Sequence, residues 1–183
     1  MLFRSDPETF FSHFNFLLPR FYSIASSYKQ HPDEVHLLVA ELSYELNSKQ
    51  RLGIASHFLC SQCPIESSPV PIYLMKAPAF KLPKDPGIPI IMVGPGTGIA
   101  PFRAFMQLRY EQNANENILF FGERNKSSNF YFEAEWGKYE QEGFLKLFTA
   151  FSRDQKHKIY VQDRVREQKE DRKSTRLNSS HQI

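Results

Sequence analysis

Cysteine is scarce, at two among 183 residues, and there is a single tryptophan. Two cysteines cannot build a disulfide framework, and they suit a reducing cytosol. Cys60-Ser61-Gln62-Cys63 is a lone C-x-x-C. Zinc would need two further ligands where only His57 stands near, and a thioredoxin-type pair should open a helix that follows a strand, whereas Cys60 ends one. The six histidines show no ligand spacing, so no metal is expected. No apolar run is long enough to span a bilayer. The opening MLFRSDPETFF lacks the basic-then-apolar layout of a secretory leader. A cytoplasmic protein without a membrane partner is the expectation. An excess of one charge is lacking too. The formal net charge is +3, and residues 171–183 carry +2 of it (Asp171 against Arg172, Lys173 and Arg176), leaving +1 on the first 170. That is no footprint for nucleic acid.

What is present is a globular composition, 41% hydrophobic and 14% aromatic. Residues 1–84 hold short β-type runs between polar turns: a helical stretch from Pro7 to Leu17, strands at Arg20–Ala25 and Val35–Leu42, a short helix at Gly53–Cys60 and a strand at Val70–Lys76. Pro83, Pro86 and Pro89 then mark a boundary. Residues 85–170 alternate. Ile88–Val93, Ile118–Gly122 and Phe144–Phe151 read as buried strands, separated by helical spacing at Ile99–Gln112 and Phe130–Tyr139 and followed by a third helix over Tyr160–Gln168. Strand–helix alternation predicts a parallel sheet with right-handed crossovers, an α/β nucleotide-binding domain. Glu133, Glu135 and Glu140 read as a solvated helix face and Trp136 as a packing residue. Asp171 to His181 reads DRKSTRLNSSH, which resembles the translation of a sequencing adapter, and the stretch 171–183 is set aside as non-native.

Three of the eight glycines fall in Gly94-Pro95-Gly96-Thr97-Gly98, between a buried strand and a helix. Glycine lets the backbone turn sharply and approach a ligand. A helix N-terminus offers unpaired N–H groups to an anion, and Thr97 adds a hydroxyl. The spacing is G-x-G-x-G without a following lysine, which argues against a Walker nucleotidase.

Gly94-Pro95-Gly96-Thr97-Gly98-Ile99-Ala100-Pro101-Phe102-Arg103 resembles the NADPH-domain loop of the ferredoxin–NADP reductase superfamily. Three further segments agree in order. Arg20-Phe21-Tyr22-Ser23 resembles its R-x-Y-S flavin motif, and Gly53-Ile54-Ala55-Ser56 its second flavin motif. Ser152-Arg153-Asp154-Gln155 with Lys158-Ile159-Tyr160-Val161-Gln162-Asp163 resembles the pyridine-nucleotide signature of diflavin reductases, most of all those of the bacterial NADPH–sulfite reductase type.

The resemblance implies a partial antiparallel β-barrel binding FAD over 1–84, with 1–18 the end of a connecting helical region, and an NADPH domain over 85–170. It implies FMN in a domain outside this chain and a hemoprotein sulfite reductase subunit as a partner. For FAD it points to Arg20, Phe21, Tyr22, Ser23, Leu38, Val39, Ala40, Tyr44, Gly53, Ile54, Ala55 and Ser56. Arg20 would pair with the diphosphate, Tyr22 would stack on the ring, and Ser23 would be the catalytic hydroxyl near the reacting flavin nitrogen. For NADPH it points to Gly96, Thr97, Ser152, Arg153, Lys158, Ile159, Tyr160, Val161 and Gln162. A hydroxyl, a guanidinium and an ammonium there suit a ribose phosphate. Glu123, an acid after the second strand, is the type of residue that grips an unphosphorylated ribose; the long ordered match over Ser152–Gln162 implies NADPH. Relatives continue with a Cys-Gly-Asp strand and an aromatic C-terminus, and without these the 183 residues are expected to be inactive alone.

Overall fold

The computed structural model describes residues 6–66 and 69–169; the reading of residues 171–183 lies outside them. Residues 90–169 form the alternating unit. β3 (Ile90–Pro95), β4 (Asn117–Glu123) and β5 (Leu145–Phe151) pair parallel in that order. A 3-10 turn, Gly96–Ile99, leads into α3 (Ala100–Glu111). α4 (Lys126–Asn129) and α5 (Glu133–Gln141) connect β4 to β5. Residues 161–169, called α6, are helical.

The period-2 alternation of the strands sorts their side chains onto two faces. Met92, Leu119, Phe121 and Leu145 turn to the core shared with Ile99, Met106, Trp136 and Tyr139. Phe120 and Ala150 turn the other way, onto Val161. α3 and α5 therefore cover one face and α6 the other. Gly122 lies on the α6 face, where a Cβ would meet Val161 Cγ2 at 2.3 Å; only glycine lets the helix approach so closely. β3 is not covered on both faces as the apolar run predicts: Ile91 and Val93 stay 62% and 46% exposed.

Arg109 is the buried polar anchor of this unit, 1% exposed. Its guanidinium donates to Asn117 Oδ1, to Pro86 O (3.3 Å), Ile88 O (3.2 Å) and Asn115 O (2.9 Å). Burial pulls its pKa below the usual guanidinium value. It thus fixes the chain entering β3 and β4. Arg109→Ala strands those acceptors, and a cost of about 1–2 kcal/mol, read as a lower urea midpoint, is expected.

Tyr139 is 3% exposed. Burial first, and then the Glu135 carboxylate, raise its pKa above the ordinary 10.0. A raised folded pKa means that the unfolded chain loses this proton first. The contribution is complete below pH 10.0 and fades as pH rises beyond it. Tyr139→Phe is expected to flatten the alkaline fall in urea midpoint.

In the N-terminal half, α1 (Pro7–Ser12) starts at Asp6, whose Oδ1 accepts from Thr9 N at 3.1 Å. β1 (Ser43–Leu46) and β2 (Lys49–Leu52) form an antiparallel hairpin. α2 (Ile54–His57) follows and continues as a π-turn, Phe58–Gln62. This two-stranded antiparallel sheet precedes the parallel sheet, and no closed barrel exists among the described residues.

Three predicted strands are not strands. Arg20–Ala25 and Val35–Leu42 meet only through the antiparallel bridge Ile24–Leu37 and the Ala25 N to His36 O bond of 2.8 Å. Residues 70–76 have no ladder. Their apolar side chains are largely exposed, Ile72 and Leu74 by more than two thirds. Joined by a long loop rather than a tight turn, and with no further strand neighbours, the first two bury too little to hold a ladder. The hairpin went unpredicted because all eight of its strand residues are exposed, leaving no alternation to read. Its signal is the turn itself: Asn47 and Ser48 both take positive φ (53° and 57°), as a two-residue type I′ hairpin loop requires.

Candidate nucleotide and flavin sites

Strands of a parallel sheet all point their C-terminal ends to one edge, and the loops that leave them can converge there. β3 ends at Pro95 and turns at Gly96, whose φ of +58° favours glycine. Gly94 is buried just before, and a Cβ on it would meet Phe102, Gly98 O and Ile99 Cα at 2.9–3.0 Å. The glycines thus serve two ends: Gly94 lets α3 approach its strand, and Gly96 turns the chain at the sheet edge.

At that edge lies a cleft of about 630 Å³, a size suited to a small-molecule ligand. Gly96, Ser152, Ile159, Tyr160, Val161 and Gln162, all predicted, line it. Thr97, Arg153 and Lys158 are exposed beside it and do not line it. Two cations unread in the sequence do: Arg124, after β4, and Arg166, on α6. Arg124 stands at the end of β4 as Ser152 stands just beyond β5, so the strand-end rule could have found it. Arg166 falls four residues after Gln162, hence on the same helix face.

Carboxylates hold the rim. Asp163 Oδ2 accepts from Tyr160 N at 2.9 Å, capping α6, while its Oδ1 accepts from Arg166 at 3.2 Å. Asp154 ties the loop after β5 to that after β4, accepting from Asn125 Nδ2 (3.0 Å) and Lys126 N (2.9 Å). Ser152 N donates to Glu123 O at 2.9 Å. Glu123 lines the cleft with its carboxylate turned back: Oε2 accepts from Arg124 N, and Oε1 faces Gly96. The cleft fits a phosphorylated nucleotide. It offers a glycine turn, a hydroxyl, two guanidinium groups and a tyrosine ring, against one acid already bonded to the backbone.

The flavin-motif residues lie outside this cleft. Arg20, Phe21, Ser23, Ala40, Tyr44 and Ile54 are exposed, and Tyr22, Leu38, Val39, Gly53, Ala55 and Ser56 half-buried. The structure joins part of the set. Leu42 N donates to Ser56 Oγ (3.0 Å), Ser56 Oγ donates to Gly53 O (3.3 Å), and Gly53 N donates to Leu42 O (2.7 Å). The turn at Gly53–Ser56 is thereby fastened to the segment carrying Leu38–Tyr44, and the Ile24–Leu37 bridge brings in the segment carrying Arg20–Ser23. A Cβ at Gly53 would meet Ser56 Oγ and Leu42 Cβ within 3 Å.

Glu135 is not on a solvated face: it is 23% exposed, and Oε2 accepts from Arg103 Nε at 2.7 Å. Among the histidines, His31 and His36 stand with Glu34, their ligand-type atoms within 4.8 Å of one another. Both ring nitrogens of His36 are engaged, however. Nδ1 accepts from Arg103 Nη1 (2.9 Å), so Nε2 carries the proton donated to Glu34 (2.8 Å). A metal at Nε2 would displace that proton and leave Nδ1 facing a donor. The cluster is explained as a hydrogen-bonded relay.

With that geometry in place, known proteins give a consistent picture. Residues 7–58 match the FAD binding domain family, and residues 92–182 the oxidoreductase NAD-binding domain family. The sulfite reductase [NADPH] flavoprotein alpha-component of Photorhabdus laumondii is 47% identical over 156 residues, which is 84% of this chain and 26% of that protein. Its counterpart in Vibrio cholerae (strain N16961) is 50% identical over 156 residues, 84% and 25% of the two chains. The NADPH-dependent diflavin oxidoreductase 1 of Xenopus laevis is 48% identical over 150 residues, 81% and 25%. The chain spans about a quarter of the length of these relatives.

Proposed function

Because the chain belongs to the family of flavoprotein reductases that join an FAD-binding to an NAD-binding domain, we propose that it aligns NADPH with FAD inside a larger electron-transfer protein of the sulfite reductase type. The observation that carries this is the convergence of Gly96, Ser152 and Tyr160–Gln162, three separated stretches of the two nucleotide motifs, on one cleft at the sheet edge. When bound, the nicotinamide supplies a hydride and the flavin accepts it.

The chain's own groups bind and orient. Gly96 lets the diphosphate approach the backbone. The Ser152 hydroxyl and the guanidinium groups of Arg124 and Arg166 meet the ribose phosphate, with Arg153 and Lys158 supplying outer charge, and the Tyr160 ring covers the adenine. On the flavin side, Arg20 pairs with the diphosphate, Tyr22 stacks, and Ser23 offers its hydroxyl to the flavin nitrogen. Leu38, Val39, Ala40 and Tyr44 form one wall and Gly53–Ser56 the diphosphate turn. The FAD unit runs over 1–84 and the NADPH unit over 85–170. An FMN domain in the same polypeptide or complex and a hemoprotein sulfite reductase subunit would be its electron-transfer partners. No described helix is long and apolar enough to cross a membrane.

Flavin reconstitution tests this reading. The intact flavoprotein that contains this chain should take up FAD and bleach its visible absorbance on adding NADPH, with NADH at least tenfold less effective; failure to retain FAD, or equal use of NADH, contradicts it. Ser152→Ala should weaken NADP⁺ about tenfold, about 1.4 kcal/mol, and leave NAD⁺ unchanged in a fluorescence titration.

A further inference from the structure

We propose that Arg103 is a positioning residue for hydride transfer: it locks the flavin-side segment onto the nucleotide-binding unit and so sets the approach of the two reacting rings without touching either. This rests on the FAD–NADPH reading above. The guanidinium is engaged at Nε, at Nη1 and on one face. Nε donates to Glu135 Oε2 at 2.7 Å, and Nη1 donates both to Ala25 O and to His36 Nδ1, each at 2.9 Å. Its face lies 4.6 Å from the Phe132 ring centroid. Phe132 holds φ +60°, ψ 29° to present that ring, a left-handed conformation uncommon for an aromatic residue.

One turn further along α3, Gln107 repeats the connection. Its Oε1 accepts from Ser27 N at 2.8 Å, and its Nε2 donates to Glu135 Oε1 at 3.1 Å. The same helix that begins at the phosphate loop therefore holds residues 25–27 at two points and returns both side chains to a single carboxylate. Ala25, Ser26, Ser27 and Gln107 are all buried, and Ser26 Oγ accepts from His36 N at 3.0 Å. His36 carries the relay outward to Glu34. Ser23 is two residues upstream of Ala25, a span of less than about 7 Å of extended chain, so a displacement of the lock passes directly to the flavin motif. A misplacement of 1 Å between reacting groups can cost on the order of a hundredfold in rate. A planar fork that holds three acceptors while its face lies on a ring is a device that lysine cannot replace, since one ammonium on a flexible stem cannot reach all three and stack on the ring.

The test uses the intact flavoprotein carrying Arg103→Lys, with Glu135→Gln as a second variant that keeps shape and removes the shared charge. Flavin content and NADP⁺ affinity should stay within about twofold of the parent. The single-turnover rate of flavin reduction by NADPH should fall about tenfold or more for R103K and less for E135Q. The isotope effect with NADPH deuterated at the transferred position should rise. Independently of activity, amide exchange at Ser27 should accelerate at least fivefold while that of β4 is unchanged. A parent that reduces its flavin alongside an R103K variant of equal rate and equal Ser27 protection overturns this proposal alone. A parent that binds neither FAD nor NADP⁺ overturns the reading beneath it as well.

Discussion

Trp136→Ala is expected to be the most damaging single truncation, lowering stability by about 3–5 kcal/mol. Trp136 is fully buried, at 0% exposure, and its indole N–H donates to Tyr131 O at 2.8 Å. It meets Phe132 and Tyr139 edge-on or tilted, with centroids 6.2 and 6.3 Å away. Alanine removes the ring, leaves a cavity between α5 and the sheet, and strands the Tyr131 carbonyl. The loss should appear in urea unfolding as a lower midpoint with an unchanged slope. Trp136→Phe, which keeps most of the volume and loses the donor, should recover more than half of it. A truncation costing less than 1 kcal/mol would mean that α5 does not pack as described.

Gly122→Ala should combine a stability loss with a functional one. The added methyl would sit 2.3 Å from Val161 Cγ2, and Val161, branched at Cβ and 8% exposed, cannot rotate out of the way. Either α6 shifts outward or β4 bends, at about 2–3 kcal/mol. Because α6 begins beside Tyr160 and carries Val161, Gln162 and Arg166 into the cleft, the shift opens the proposed nucleotide cleft. NADP⁺ affinity should fall at least tenfold, the loss being partly restored by Val161→Ala in the double variant. An unrestored loss would place the effect elsewhere than at this contact.

The sequence made the parallel unit legible and the N-terminal half much less so, for a physical reason. β4 buries both faces over most of its length and β5 is buried or half-buried everywhere but at Lys146, so both runs are dominated by apolar residues and their bounds shift by only a residue or so. α5 begins at Glu133 rather than Phe130 because Phe132 adopts a left-handed backbone to stack on Arg103, a tertiary demand invisible in helical spacing. Residues 20–25, 35–42 and 70–76 carry strand-like side chains but find too few strand neighbours among the described residues, so composition alone overstated them. The Gly96 turn and Ser152–Gln162 were readable because the signature is local. Glu135 and Gln107 were not, because their partners lie across the fold: Gln107 meets Ser27, 80 residues away. Glu135 looked like one acid among several on a helix until Arg103 was placed against it.

The cleft at the sheet edge is proposed to take a 2′-phosphorylated nucleotide. Titration of the protein with 2′-phospho-ADP-ribose and with ADP-ribose, followed by calorimetry, tests it most directly. The phosphorylated ligand should bind at least tenfold tighter, with Ser152→Ala and Arg166→Ala each removing most of the difference and neither weakening ADP-ribose. Equal affinity for the two ligands, or tighter binding of ADP-ribose through Glu123, would contradict it.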